Sequence, residues 1–163
     1  MMPSQPFSDG THAVKCELAA EVLRSQGNLR LQVTGLSMFP AVRPGDTLLV
    51  DRVNGSAVTE GDIVLFGRDR RLFAHRIVAK GSHGSSPMLT RGDAMPKPDS
   101  PVDDDEFLGK VSYVVRRGRC IEPCKTLRLP ERVVAALVKH SETAARVVVG
   151  VHGLLQTSGV QTA

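Results

Sequence analysis

The sequence predicts a mainly β domain flanked by one N-terminal and one C-terminal helical segment. Between about residues 29 and 118, short apolar stretches alternate with turn residues, and several stretches alternate apolar and polar positions as half-buried strands do. In the flanking segments the apolar residues recur every three or four positions, which is the helical period. The chain has 163 residues, enough for one domain with a real core and short extensions. We therefore expect an N-terminal tail and helix over 1–28, a β domain over 29–118 and a helical extension over 119–163.

The N-terminal segment predicts a disordered tail and then a helix. Pro, Ser, Gly and Asp dominate residues 1–10, whereas residues from about 11 to 26 are helical in pattern, and Gly27 suits the stop. The residues that set the helical period are Val14, Leu18 and Val22.

Six segments of the β domain are predicted strands. A Pro-Gly turn at 44–45 opens the second, a hairpin around residues 67–70 joins the third to the fourth, and a Pro- and Asp-rich loop precedes the last. In chain order the segments are LRLQVTG, DTLLVDRV, DIVLFGR, RLFAHRIVAK, PMLTRGD and FLGKVSYVVRRG.

The C-terminal segment predicts a second helix, which starts at Pro130 and carries a valine-rich stripe. Basic residues interrupt the stripe at Arg132, Lys139 and Arg146, so the helix suits either packing on the β core or peripheral contact with an anionic membrane. No stretch of about 20 apolar residues and no signal-peptide pattern is present. We expect a cytoplasmic or membrane-peripheral protein.

Composition argues against several function classes. The net charge is +4, but the arginines are scattered rather than striped, so we expect no nucleic-acid partner. Three cysteines, Cys16, Cys120 and Cys124, are too few for a disulfide framework. Cys120 and Cys124 could form one bridge or half a metal site, but no second pair completes a zinc site. We expect reduced cysteines, no metal and no cofactor.

The segment GLSMFPAVRPGD, residues 35–46, presents a lone serine between apolar neighbours. Gly35 lets the backbone turn sharply, so that the hydroxyl of Ser37 and nearby amides can face one point. That arrangement serves a nucleophile with an oxyanion hole. The alternative is a turn serine that bonds its own backbone.

A serine nucleophile needs a base, and the base needs an orienting carboxylate. His75 lies inside the apolar strand FAHRIVA, where a histidine is out of place unless its ring is satisfied or functional. Carboxylate candidates are Asp93, which closes a Gly-Asp turn, Asp99 in a proline-stiffened loop, and the acidic run that starts at Asp103. Which of Asp99 and Asp103 would orient His75 stays open.

In this order, the motifs GLSMFPAVRPGDTLLVDRV, GDIVLF, AHRIVA, LTRGDAMPKPD and LGKV resemble the signal peptidase I / LexA-like serine peptidase superfamily over about residues 31–113. The resemblance implies that Ser37, before Met, is the nucleophile and that His75, before Arg, is the base. The base is lysine in common bacterial signal peptidases and LexA-type repressors. It is histidine in the endoplasmic-reticulum and archaeal signal peptidases, which this chain resembles most closely.

The resemblance also assigns the carboxylates and the fold. It implies that Asp99 orients His75, that Asp93 supports the site, and that the domain has the compact signal-peptidase/LexA-like β fold. Classical bacterial signal peptidases have serine at the position of Gly35, whereas LexA-type proteins have a GxSM pattern. The oxyanion hole would therefore rest on backbone amides, notably that of Ser37.

The resemblance implies a serine endopeptidase of the signal peptidase I type that cleaves a peptide or protein substrate after small residues. One alternative is a LexA-type self-cleaving regulator, although the chain contains no Ala-Gly bond and its N-terminal helix is short for a DNA-binding domain. The other is a non-catalytic peptide-binding module that retains the fold. Intact Ser37, His75 and Asp99 argue against the module.

Overall fold

The computed structural model describes residues 7–81 and 87–127, with side chains from residue 12 onward. The described part is one α-helix and an antiparallel β-sheet, which confirms the mainly β prediction. The helix predicted from Pro130 lies outside the described residues. The elements are α1 (Phe7–Gln26), β1 (Asn28–Gln32), β2 (Thr47–Asp51), β3 (Ile63–Arg68), β4 (Arg71–Lys80), β5 (Met88–Arg91), β6 (Phe107–Arg116) and β7 (Arg119–Ile121).

The sheet has the strand order β1-β2-β6-β3-β4-β5, and β7 pairs with β6. Strand β3 is central, and its residues 63–66 are all buried because successive side chains enter cores on opposite faces. Ile63 and Leu65 join a core with Leu23, Met38 and others. Val64 and Phe66 join a second core beneath the loop that follows β5. The core on one face of β3 therefore anchors the loop between β1 and β2, and the core on the other face anchors the loop that follows β5.

Helix α1 begins at Phe7, so four of the residues expected to be disordered are helical. It packs against β1, β4 and β6. It ends where Gly27 adopts a φ of 76° and donates its N–H to the Leu23 carbonyl oxygen at 3.0 Å. Leu23 is buried, whereas Val14 and Leu18 are 63% and 60% exposed. The apolar period correctly predicted a helix, but two of its residues lie outside the core.

The sheet continues into the segment expected to be a helical extension. Arg117 and Gly118 both have positive φ and form the turn that leads from β6 into β7. All residues of β7 are exposed. Cys16, Cys120 and Cys124 are free. Among the described residues, no helix is both long enough and apolar enough to cross a membrane.

Candidate active site

Ser37 lies in the loop that connects β1 to β2, residues 33–46, which we call the serine loop. The loop folds back on itself because the Phe39 N–H donates to the Leu36 carbonyl at 3.0 Å and the Val42 N–H donates to the Met38 carbonyl at 3.0 Å. Met38, Phe39 and Val42 are buried, while Ser37 is only half-buried. The apolar neighbours thus anchor the loop in the core and leave the serine hydroxyl at its surface.

Two charged residues fix the far end of this loop. The carboxylate of Asp46 is 4% exposed and accepts hydrogen bonds from the Arg43 N–H at 2.8 Å and from Arg116 Nη2 at 2.7 Å. Arg116 Nη2 also donates to the Ala41 carbonyl at 2.9 Å. Sequence reasoning treated Asp46 only as part of a Pro-Gly-Asp turn, and it did not single out Arg116. The signal for Asp46 was its place directly after Pro44 and Gly45, where an aspartate can accept hydrogen bonds from the turn.

His75 lies on β4 and faces the serine loop. Its side chain is 4% exposed, and Ser37 Oγ lies 3.0 Å from its Nε2. The rings of Phe66 and Phe73 flank the imidazole, each with its centroid 5.9 Å from that of His75. The packing holds the ring in one orientation, with Nε2 directed at the hydroxyl.

Asp99 completes the arrangement from the loop after β5. Its Oδ2 lies 2.7 Å from His75 Nδ1 and also accepts the hydroxyl of Thr90 at 2.7 Å. The Asp99 N–H donates to the Thr90 carbonyl at 2.8 Å, which ties the loop to β5. A carboxylate accepts hydrogen bonds only, so Nδ1 carries the imidazole proton and Nε2 is left to accept the hydroxyl of Ser37. Asp103, the other candidate, is exposed, and it is Asp99 that contacts His75.

Asp93 lies beside the serine loop and pairs with Arg76 rather than with His75. Arg76 Nε and Nη2 donate to its two carboxylate oxygens, both at 2.8 Å. Arg76 Nη1 also donates to the Gly61 and Cys124 carbonyls at 2.8 and 2.7 Å. The turn that holds Asp93 contacts the serine directly, because the Ala94 N–H donates to the Ser37 carbonyl at 2.9 Å.

Gly35 lies at the opening of the serine loop, where an added Cβ would have no heavy atom within 4 Å. The structure therefore gives no steric reason for glycine at this position. Its open surroundings do leave room for a bound chain to approach Ser37.

A groove beside Ser37 has a volume of ≈ 810 Å³. One wall is α1, and the others come from β1 with the residues that follow it and from the first half of β4. Strand β1 pairs with β2 on one side only, so its other edge has no strand partner among the described residues. No group of three or more His, Cys, Asp or Glu residues in the described part could hold a metal ion.

A serine hydroxyl, a histidine and a carboxylate joined in one chain of contacts are typical of serine peptidases. The family model for "Peptidase S24-like" proteins matches residues 4–112, which include the whole helix, the serine loop, His75 and Asp99. This chain belongs to the Peptidase S24-like family. The match confirms the LexA/signal peptidase I superfamily predicted from the motifs. No curated protein matches the chain.

Gly92 is a close-packed position in the site of this S24-like chain. An added Cβ would lie 2.6 Å from the Ser37 carbonyl oxygen and 3.0 Å from the Ser37 Cβ. We expect Gly92→Ala to push the serine loop away, destabilising the protein by about 1–3 kcal/mol and lowering turnover about 100-fold. Denaturant unfolding and peptide hydrolysis measure the two effects. Gly35→Ala is the matched control for stability, and equal stability of the two variants would contradict the packing argument.

Arg68 holds the loop that carries Asp99. Its guanidinium donates to the Ser100 and Pro101 carbonyls at 3.0 and 2.7 Å and to Glu106 Oε1 at 2.7 Å. Hydrogen bonding from Arg68 holds the pKa of Glu106 below its ordinary value of 4.5. The carboxylate therefore stabilises the fold fully above its unfolded pKa, and this contribution is lost as the pH falls through the folded pKa.

We expect Glu106→Gln to lower the free energy of unfolding near pH 7 and to have a shrinking effect as the pH drops below about 4.5, the unfolded pKa. Urea unfolding of both proteins between about pH 3 and 7 measures the difference. Glu122→Gln is the control, because Glu122 is an exposed glutamate away from this loop. A difference between wild type and Glu106→Gln that does not change with pH would show that the ion pair does not stabilise the loop.

Proposed function

We propose that this protein is a serine endopeptidase of the signal peptidase I type, with Ser37 as nucleophile, His75 as general base and Asp99 as the orienting carboxylate. The observation that carries the proposal is the unbroken chain of contacts from Ser37 Oγ through the imidazole to Asp99, with distances of 3.0 and 2.7 Å. A turn serine that only bonds its own backbone has no need of a buried histidine and a carboxylate behind it.

The first half-reaction forms an acyl-enzyme. Ser37 Oγ attacks the substrate carbonyl carbon while its proton passes to His75 Nε2, and Asp99 stabilises the resulting imidazolium. The Ser37 N–H donates to the oxyanion of the tetrahedral intermediate. His75 then gives the proton to the departing amine, and the C–N bond breaks.

The second half-reaction releases the product. A water molecule attacks the acyl carbon and passes a proton to His75 Nε2, which returns it to Ser37 Oγ as the ester bond breaks. Over the cycle one peptide bond and one water give a carboxylic acid and an amine, which become a carboxylate and an ammonium by proton exchange, and the enzyme returns to its original state.

The histidine supports the Ser/His type of signal peptidase. A lysine base must lose its proton through deep burial, whereas a histidine titrates near neutrality and gains from an orienting carboxylate. Asp99 provides that carboxylate, which also accepts a second hydrogen bond from the hydroxyl of Thr90. The unpaired edge of β1 beside the groove is suited to an extended peptide. Cleavage after small residues follows from the resemblance alone.

The experiment uses a fluorophosphonate probe on the purified full-length protein, followed by mass spectrometry of the labelled peptide. We expect one label on Ser37, none on Ser37→Ala, and hydrolysis of peptides with Ala before the cut in proportion to enzyme concentration. Cleavage of the protein itself, at a rate independent of its concentration, would instead indicate a self-cleaving regulator. A folded protein that neither reacts nor cleaves, but binds peptides, would indicate a non-catalytic module.

A further inference from the structure

The inference concerns the chemistry of the substrate and rests on the proposed function. One face of helix α1 packs on the sheet, where Leu23 is buried in the core, and another face lines the groove beside Ser37. The groove-lining residues of the helix are His12, Lys15, Leu18, Ala19 and Val22. Their spacing of three or four places most of them on one side of the helix. An exposed leucine such as Leu18 has a role there as a groove wall.

The charge of the groove is one-sided. Lys15 on α1, Arg30 on β1 and Arg71 on β4 all line it, and none of the described residues that line it is acidic. No ion pair within the described part of the chain engages these three cations. The three come from three different elements, so their convergence is a property of the fold and not of one basic segment.

A second depression adjoins the groove, shares His12, Arg71 and Phe73 with it, and is also mainly basic. It is lined by Phe73, by the basic residues Arg70 and Arg71, by His12, and by the acidic Asp69. The rest of the groove surface is largely apolar, with Leu18, Val22 and Leu72 among its residues. An occupant that satisfies both features is an extended peptide with apolar or small residues and at least one carboxylate.

We propose that this groove selects peptide segments that carry acidic side chains within about five residues of the cleaved bond. The length follows from the helix, because residues 12 to 22 rise about 15 Å, which about four to five extended residues span. The cations attract the acidic side chains, and the apolar wall from α1 covers the residues between them. A segment with basic residues at the same places would meet like charge and be disfavoured.

The experiment compares matched quenched fluorescent peptides that share one alanine-containing core and differ only in flanking residues. Glu, Gln or Lys is placed two to five residues from the core, on one side or the other, and kcat/KM is measured with the full-length protein. We expect the best Glu peptide to exceed its Gln counterpart by roughly three- to tenfold, as two partly exposed ion pairs allow. The preference should shrink at about 1 M salt, where the screening length is about 3 Å.

Charge-reversal variants locate the preference. Lys15→Glu and Arg71→Glu should each reduce the preference for Glu peptides, and the double variant should favour the Lys peptides. Arg119→Glu is the matched control, since Arg119 is an exposed arginine on β7 that does not line the groove. An equal effect of Arg119→Glu would show that net charge, and not the groove, attracts the peptide.

A binding measurement separates this proposal from the peptidase proposal. Ser37→Ala protein is titrated into the labelled Glu, Gln and Lys peptides, and fluorescence anisotropy reports affinity without any cleavage. Preferential binding of Glu peptides that is reduced by Lys15→Glu supports selection of acidic segments by the basic groove, even if the wild-type protein cleaves none of them. Equal kcat/KM for all three peptides, or equal binding where none is cleaved, overturns it.

Discussion

Replacement of Ser37 or His75 by alanine is expected to reduce kcat/KM for a cleaved peptide by about 10⁴-fold or more. Ser37 supplies the oxygen that forms the acyl-enzyme, and His75 Nε2, 3.0 Å away, accepts its proton. Without either group the other has no partner, so the double variant should be little slower than each single variant. Hydrolysis rates of the four proteins at one pH give the full comparison.

Folding controls make this comparison decisive. Ser37 is half-buried in a surface loop, so Ser37→Ala should unfold at close to the wild-type denaturant concentration. His75 is buried between aromatic rings, so His75→Gln provides a second variant that keeps more of the side-chain volume. If a folded His75 variant retained near-normal turnover, or if the two losses were multiplicative, the assigned base would be wrong.

The sheet could be predicted from the sequence because each strand has a strong local pattern. The buried run of β3 and the apolar residues of β4 and β6 are readable without knowledge of their partners. Strand β7 was missed because its side chains are all exposed and show no apolar alternation. What defines it is pairing with β6 after a turn at Arg117 and Gly118, and that depends on the register of the sheet.

The sequence predicted the three residues of the candidate site, but it did not predict the residues that hold them in place. Ser37, His75 and Asp99 lie in short motifs whose order resembles a known superfamily, and the structure brings them together. Thr90 and Arg68 were not predicted, because each acts through a partner that only the fold makes a neighbour. For the same reason, the residues alone left the choice between Asp99 and Asp103 open, and only the resemblance favoured Asp99.

The exposed side of α1 shows a different limit of sequence analysis. Val14 and Leu18 contribute to a clear helical period, which favours burial when only the sequence is known. The structure assigns burial to Ala19 and Leu23 and leaves Leu18 in the groove wall. A helical pattern indicates the period of the apolar residues, but whether a given face meets the core or a ligand groove depends on how the helix docks.

The carboxylate test follows from the contact between Asp99 and His75. We expect Asp99→Asn to reduce kcat by about 10³- to 10⁴-fold with little change in KM, as loss of the orienting carboxylate does in other Ser-His-Asp sites. Asn cannot stabilise the imidazolium, and its amide can donate to Nδ1, which favours the tautomer with the proton on Nε2. That tautomer cannot accept the proton of Ser37. Steady-state kinetics and the rate of fluorophosphonate labelling measure the effect.

Asp103→Asn is the matched control for Asp99→Asn, because it makes the same chemical change at an exposed position in the same loop. We expect it to alter kcat by no more than about twofold, the usual range for a surface substitution. The labelling rate separates a catalytic effect from a structural one, since a merely loosened loop would raise KM and lower the unfolding midpoint, whereas a wrong tautomer slows acylation in a protein of normal stability. The assignment of Asp99 fails if Asp103→Asn is the more damaging change, or if Asp99→Asn is labelled at the wild-type rate.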